Sequence, residues 1–191
     1  MALDDSGNIY VTWTGWTGSQ WGNIIERSSD RGASWTRSEY TGTELSRTPR
    51  GIAVDHAGNV WLLWISIDSE FSPYYLNLSK STNRGQTFTT TFRSRAFAGG
   101  FLYQKLAVDR DNSIYMLWDD VQFKLTRFRH GDATQRTDAI VPHSGYSIDA
   151  YPDLLVSSDF VVHCVWEGQT PPLGISSTQH QLIQGHHYFQ A

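Results

Sequence analysis

The strongest constraint on the fold is an internal repeat with a period of about 50 residues. Three segments closely resemble one another and a fourth is weaker: ALDDSGNIYVTW at 2–13, AVDHAGNVWLLW at 53–64, AVDRDNSIYMLW at 107–118 and LVSSDFVVHCVW at 155–166. The tryptophans that end them lie 51, 54 and 48 residues apart. Units of this length are stacked side by side, because one unit alone cannot bury its apolar face.

Each copy predicts a short strand, a tight turn and a longer strand. In the second copy the turn carries Asp55, Gly58 and Asn59, and Gly and Asn accept the positive φ of hairpin turns. Both faces of the longer strand are largely apolar, which predicts a sheet packed between two others. No segment shows the 3.6-residue apolar period of a helix. Further strands are predicted at 23–29, 36–40, 74–81 and 89–94.

The repeat therefore predicts an all-β fold, a β-propeller of four-stranded antiparallel blades. The 191 residues hold about four blades, in a single domain with approximate blade bounds 1–42, 43–96, 97–142 and 143–191. The first blade has a clipped first strand, and the last blade lacks residues for a fourth strand after a third at 185–191. We therefore expect an incomplete ring whose open faces and edges favour self-association; two such arcs would close an eight-bladed ring. A closed four-bladed ring is the alternative.

Composition excludes several classes of function. The net charge is −4 with only three lysines, so neither nucleic acid nor an anionic membrane is an expected partner. No apolar run is long enough to span a membrane, and the N-terminus does not read as a signal peptide. The single Cys164 excludes an internal disulfide framework. His180, His186 and His187 lack an acidic ligand in register, so no metal and no cofactor are expected.

Two motifs of the form Ser-x-Asp/Asn-x-Gly-x-x-aromatic lie 53 residues apart, in phase with the repeat. They consist of Ser28, Asp30, Gly32 and Trp35, and of Ser81, Asn83, Gly85 and Phe88. This pattern is the Asp box, or bacterial neuraminidase (BNR) repeat, and the chain resembles the sialidase-like β-propellers over nearly its whole length. The resemblance implies a structural turn between strands three and four of each blade, away from any active site. The third and fourth copies lack the box.

Strand direction separates two ends of each blade. The one–two and three–four turns share one end, whereas the two–three loops and the blade links share the other, where ligand sites concentrate. Predicted loops are 14–22, 66–73, 119–122 and 167–181, and predicted links are 41–48, 94–102 and 142–151. Aromatic rings stack on sugars, and carboxylates and guanidinium groups bind hydroxyls or a sugar acid. The ligand-binding candidates at this end are Trp16, Trp21, Arg47, Arg50, Asp68, Glu70, Asp119, Tyr146, Asp149, Tyr151 and Glu167.

These candidates also have structural interpretations. Trp16 and Trp21 can pack the loop itself, and Arg50 can pair with an acidic neighbour. Asp119 and Asp120 are a poor acid pair for glycoside chemistry, because adjacent strand residues point to opposite faces.

The resemblance implies a retaining sialidase that uses an arginine trio, a Tyr–Glu pair and an Asp. The Phe/Tyr-Arg-Ile-Pro motif of that family is absent, and the string from Arg47 to Arg50 does not match it, so no catalytic residue is assigned. We expect a non-catalytic sialidase-like module that binds glycan or protein through its loops. The alternatives are a fragment of a sialidase-like glycoside hydrolase and a self-associating structural repeat. An extracellular or periplasmic location is implied by the resemblance alone.

Overall fold

The computed structural model describes residues 1–41, 44, 46–69, 73–95, 103–120, 122–140, 148–170 and 175–183. The chain divides into two compact units, Met1–Phe101 and Leu102–Ala191. The described residues form fifteen strands and one short 3-10 turn at Arg129–Gly131. The prediction of an all-β chain is confirmed.

Unit 1 contains two four-stranded antiparallel sheets whose strands follow chain order. Sheet A comprises β1 (Ala2–Leu3), β2 (Ile9–Trp16), β3 (Trp21–Ser28) and β4 (Thr36–Tyr40). Sheet B comprises β5 (Ser46–Val54), β6 (Val60–Ile67), β7 (Tyr74–Ser81) and β8 (Thr89–Arg95).

Unit 2 repeats this arrangement. Sheet C comprises β9 (Gln104–Val108), β10 (Ile114–Asp120), β11 (Gln122–Phe128) and β12 (Arg136–Ile140). Sheet D comprises β13 (Ile148–Val156), β14 (Val162–Thr170) and β15 (Ile175–Ile183), again antiparallel and in chain order.

The last sheet corrects one prediction. Its third strand is Ile175–Ile183, most of which lies in the segment 167–181 that we predicted as a loop, whereas the predicted strand 185–191 lies outside the described residues. The Pro-Pro-Leu-Gly run at 171–174 was interpreted as part of a long loop. Proline and glycine typically mark a break between strands. The new strand β15 begins directly after this run and pairs with β14 over nine residues.

The two sheets of unit 1 pack face to face. We call the face of a sheet that carries its repeat tryptophan the leading face, and the opposite face the trailing face. Tyr10 and Ile25 on the trailing face of sheet A share a core with Leu62 and Trp64 on the leading face of sheet B. The Tyr40 ring meets the Trp64 ring edge-on, with centroids 5.5 Å apart. The apolar residues on the leading face of β6 are thus explained by burial against sheet A.

Unit 2 has the same packing. Tyr115 and Leu117 on the trailing face of sheet C share a core with Leu154, Val162 and Cys164 on the leading face of sheet D. Burial raises the pKa of the Cys164 thiol to about 12, so this thiol is a small apolar core group.

The turn between the first two strands is held by a recurring carboxylate. In sheet B, Asp55 accepts hydrogen bonds from Asn59 N at 2.8 Å and from Trp61 Nε1 at 2.9 Å. In sheet C, Asp109 likewise accepts from Ser113 N at 2.8 Å and from Tyr115 Oη at 3.1 Å. Sequence reasoning found the turn residues but missed that the aromatic of the following strand is tied to the turn.

Within unit 1 these turns lie at one end of both sheets, because His56 Nδ1 of sheet B lies 2.7 Å from Asp5 Oδ2 of sheet A. We call this the turn end of a sheet. The opposite end, where strands two and three connect, is the loop end.

Candidate functional site

Two tryptophans close the loop end of sheet A. Trp16 ends β2, Trp21 begins β3, and the two are directly paired across the hairpin. A tight turn joins them, in which Thr17 N donates to Gln20 O at 2.9 Å and Gly18 has φ +89°. The rings meet edge-to-face with centroids 6.0 Å apart, and each residue is 55% exposed. The hairpin therefore presents a pre-ordered aromatic surface to solvent.

A buried amide lies two residues along β3 from this pair. Asn23 is paired with Thr14 on β2 and with Tyr40 on β4, on the trailing face that also carries Trp16 and Trp21 by strand alternation. Asn23 is fully buried, and neither its Nδ2 nor its Oδ1 has a hydrogen-bond partner in the part of the chain that the structure describes. A buried amide without a partner costs about 1–3 kcal/mol, so Asn23 gains no hydrogen-bond stabilisation from the described residues.

The loop end of sheet B carries an ion pair stacked on an aromatic ring. Arg93 Nη2 donates to Asp68 Oδ2 at 2.5 Å, and the guanidinium carbon lies 3.8 Å from the Tyr75 ring centroid. Asp68 was predicted as a ligand-binding carboxylate, and its charge is balanced by Arg93. Sequence reasoning missed Arg93 and Tyr75, although strand register places both on the face of Asp68.

Asp119 occupies the loop end of sheet C. Its Oδ1 accepts hydrogen bonds from Tyr103 N at 3.0 Å and from Gln104 Nε2 at 3.1 Å. Gln104 is itself buried and paired with Trp118 across β9 and β10. The carboxylate is thus held in place by the first strand of its own sheet.

Several other candidates lie in strands, and all of them except Arg50, which we predicted on a strand, fall where we predicted loops or links. Arg47 is in β5, and Arg50 is exposed in the same strand beside a bulge between Pro49 and Gly51. Ile148–Val156 and Val162–Thr170 extend into the predicted link and loop, because antiparallel pairing continues past the apolar core. The candidates in these two strands are Asp149, Tyr151 and Glu167. Glu70 and Tyr146 lie outside the described residues.

The turn from Ser28 to Trp35 has a dense hydrogen-bond set. Asp30 Oδ1 accepts from Ser34 N and from the Ser28 hydroxyl, both at 2.8 Å, and Gly32 N donates to Ser28 Oγ at 2.7 Å. Hydrogen bonds from the Ser34 hydroxyl and backbone, then from Ser28, lower the pKa of Asp30 to about 2. Gly32 has φ +94°, a conformation that favours glycine.

The turn from Ser81 to Phe88 repeats this set. Asn83 Oδ1 accepts from Thr87 N at 2.9 Å and from the Ser81 hydroxyl at 2.8 Å, and Gly85 N donates to Ser81 Oγ at 2.9 Å. Both turns lie at the turn end of their sheets, opposite the tryptophan pair. They connect strands three and four, as the sequence predicts.

Among the described ranges, no three His, Cys, Asp or Glu side chains lie together as a metal site requires. His180 is in β15, and His186 and His187 lie outside those ranges. Nor does the described part of the chain contain a helix with the length and apolar character of a membrane span.

Comparison with solved structures establishes the fold. A protein of unknown function from Dyadobacter fermentans has a TM-score of 0.70 at 14% identity, over 96% of this chain and 59% of its own. The fold is a β-propeller. The GH93 α-L-arabinofuranosidase of Fusarium graminearum, solved with arabinobiose, has a TM-score of 0.59 at 16% identity, over 94% of this chain and 64% of its own. A GH43 β-1,3-galactosidase has a TM-score of 0.57 at 17% identity, over 93% of this chain and 44% of its own.

The chain spans less than two thirds of each of these structures, with four sheets that correspond to about four blades. At such low identity the likeness establishes the fold and not the activity. No protein-family model and no curated protein sequence matches the chain.

Proposed function

We propose that this chain is a non-catalytic sialidase-like propeller module that binds glycan at its loop end. The observation that carries the proposal is the Trp16–Trp21 pair, held edge-to-face with more than half of each residue exposed. Large aromatic surface at a rigid hairpin is costly to leave in water and favours a ligand with an apolar face. A sugar ring has such a face, and its hydroxyls suit the polar groups nearby.

Glycan is favoured over a protein ligand by what the similar structures are named for. One was solved with arabinobiose and another is named a β-1,3-galactosidase. The charged groups at the loop end of unit 1 also suit hydroxyls, since the Asp68–Arg93 pair offers both acceptors and donors.

We further propose that the turns Ser28–Trp35 and Ser81–Phe88 are Asp boxes with a structural role. In both, a serine hydroxyl accepts from the glycine N–H while the Asp30 or Asn83 side chain accepts from the backbone four residues later. The hydrogen-bonding capacity of these groups is therefore used within the turn. This supports a ligand site at the opposite end of the sheet.

Isothermal titration calorimetry against arabinobiose, β-1,3-galactobiose and sialyllactose tests the glycan proposal. We expect Trp16→Ala or Trp21→Ala to raise the dissociation constant of the bound sugar by about tenfold or more, equivalent to about 1.4 kcal/mol. Trp35→Ala is the matched control, because Trp35 is also an exposed tryptophan (42%) but lies at the turn end. Absence of binding to all three sugars, or binding that both loop-end variants leave unchanged, refutes the proposal.

Glycoside hydrolysis is the second candidate, favoured by the fixed carboxylate of Asp119. Glycosidases need a carboxylate at a defined position beside the scissile bond, and Tyr103 and Gln104 hold this one at the loop end. Aryl arabinosides, galactosides and sialosides are the substrates to test. Hydrolysis that Asp119→Asn abolishes, and that Asp111→Asn at the turn end of the same sheet leaves intact, would replace the non-catalytic proposal.

A further inference from the structure

Two buried asparagines near the loop end of unit 1 differ in their hydrogen bonding. Asn77 on the leading face of sheet B is 1% exposed, and its Nδ2 donates to Ser66 Oγ at 3.0 Å and to Tyr75 O at 3.1 Å. Asn23 on the trailing face of sheet A is 0% exposed, and neither its Nδ2 nor its Oδ1 has a partner among the residues that the structure describes. Buried amides are as a rule paired, so the two polar atoms of Asn23 call for a partner of another kind.

The contact between Tyr40 and Trp64 shows which way Asn23 faces. Tyr40 is the direct neighbour of Asn23 across β3 and β4, and its ring meets the Trp64 ring of sheet B edge-on. Ser66 lies two residues beyond Trp64 toward the loop end, on the same face, and is 0% exposed. Buried polar side chains therefore lie on both of the facing surfaces of sheets A and B, next to the loop end.

The exposed tryptophans lie at the loop end of the face that carries Asn23. Trp21 is two residues from Asn23 along β3, and Trp16 is paired with Trp21, so the three side chains share the trailing face. A ligand that stacks on the two rings is thus placed over the face with the unpaired amide. The amide Nδ2 donates and Oδ1 accepts, and a sugar hydroxyl can do both. A carboxylate only accepts, and it loses its hydration in a buried place, so an uncharged hydroxyl is the better match.

We propose that Asn23 determines the specificity of the glycan site by hydrogen-bonding one uncharged hydroxyl of the sugar that stacks on Trp16 and Trp21. This inference rests on the glycan-binding function proposed above. Because Asn23 is buried in the unliganded fold, the ring of Trp16 or Trp21 turns aside as the hydroxyl enters. A site built to hydrogen-bond a hydroxyl rejects an analogue that lacks it, since the buried polar group is then left unpaired.

Calorimetry with a sugar and its deoxy analogues tests the role of Asn23. The probes are arabinobiose and β-1,3-galactobiose, each with its full set of monodeoxy analogues. For the unmodified chain, we expect removal of one particular hydroxyl to raise the dissociation constant by about tenfold or more. Asn23→Leu keeps the size of the side chain and removes the amide, so it should bind the parent sugar and that deoxy analogue equally well. A general loosening of the site would instead weaken both sugars alike and leave the preference in place.

Thr12→Val is the matched control. It also replaces a polar group on the trailing face with an apolar one of the same shape, but the Thr12 hydroxyl already donates to Ile24 O at 2.9 Å. This variant should keep the preference for the hydroxyl. Circular dichroism checks that each variant folds, and Asn23→Ala takes the place of the leucine variant if that one does not fold.

The outcomes separate this inference from the proposed function. An Asn23→Leu chain that keeps the preference for every hydroxyl overturns the role of Asn23, and the glycan proposal stands if Trp16→Ala still weakens binding. An equal loss of affinity for the parent sugar and all of its deoxy analogues also overturns it, because it indicates a structural role. Absence of binding of both disaccharides to the unmodified chain overturns the inference together with the binding of these sugars.

Discussion

Replacing Asp55 with alanine measures how strongly the first turn of sheet B is tied to its second strand. Asp55 is 4% exposed and accepts hydrogen bonds from Asn59 N, Asn59 Nδ2 and the buried Trp61 Nε1. Removing the carboxylate leaves the indole N–H without its acceptor in the core, at about 1–3 kcal/mol. The lost turn bonds to Asn59 add about 1–2 kcal/mol. We expect Asp55→Ala to lower the free energy of unfolding by about 2–5 kcal/mol.

A double-mutant cycle with Trp61→Phe isolates the indole–carboxylate bond. Phenylalanine lacks the N–H donor. The loss of ring volume occurs both with and without Asp55, so it cancels in the cycle. The bond remains as the coupling energy, about 1.5–3 kcal/mol for a charged acceptor. Urea unfolding followed by circular dichroism measures all four proteins, and hydrogen exchange in 53–81 shows whether the loss is local to sheet B. Asp5→Ala is the control, because that carboxylate is 68% exposed and its pair with His56 contributes about 0–1 kcal/mol. A coupling energy within about 0.5 kcal/mol of zero refutes the reasoning.

Three further predictions follow from described side chains. Gly15→Ala should destabilise sheet A, because its Cβ would lie 2.7 Å from Ile24 Cγ1. Urea unfolding compares this variant with Gly7→Ala, whose Cβ meets nothing within 4 Å, and thereby separates the cost of the packing clash from the cost of backbone strain. Asn23→Leu should leave the free energy of unfolding unchanged or raise it, since it removes an unpaired buried amide; a loss above about 1 kcal/mol in the same assay contradicts this. The pKa of Asp30 is lowered from 3.8 to about 2 in the fold, so its stabilisation is present above pH 3.8 and is lost as the pH falls through about 2. Asp30→Asn should therefore weaken the loss of stability on acidification from pH 5 to pH 2, and an unchanged pH profile argues against it.

Local turn chemistry made the strand order predictable. Asp55, Gly58 and Asn59 mark a hairpin whose geometry depends on the preferences of neighbouring residues, and the bounds Thr36–Tyr40 and Tyr74–Ser81 were confirmed. The place of β15 was not predictable in this way. Proline and glycine show that a strand stops, but the pairing of Ile175–Ile183 with β14 depends on a partner strand.

The loop-end residues were predicted as a group, and their relations were not. Composition and strand direction placed Trp16, Trp21, Asp68 and Asp119 at one end, whereas the Arg93 partner of Asp68 lies 25 residues away along the chain. Such contacts depend on which strands are paired and in which register, and a one-residue change of register moves every side chain to the other face.

The sequence alone determined the repeat, the all-β class, the four-sheet organisation and the two ends of each sheet, because these follow from periodicity and turn preferences within short segments. Only the tertiary structure decided which repeat positions are covered. Trp13 and Trp64 occupy equivalent positions in the sequence, yet one is 39% exposed and the other 1%. The difference arises because burial depends on a neighbouring sheet supplied from elsewhere in the chain, which covers the leading face of sheet B and leaves Leu3 and Trp13 of sheet A exposed.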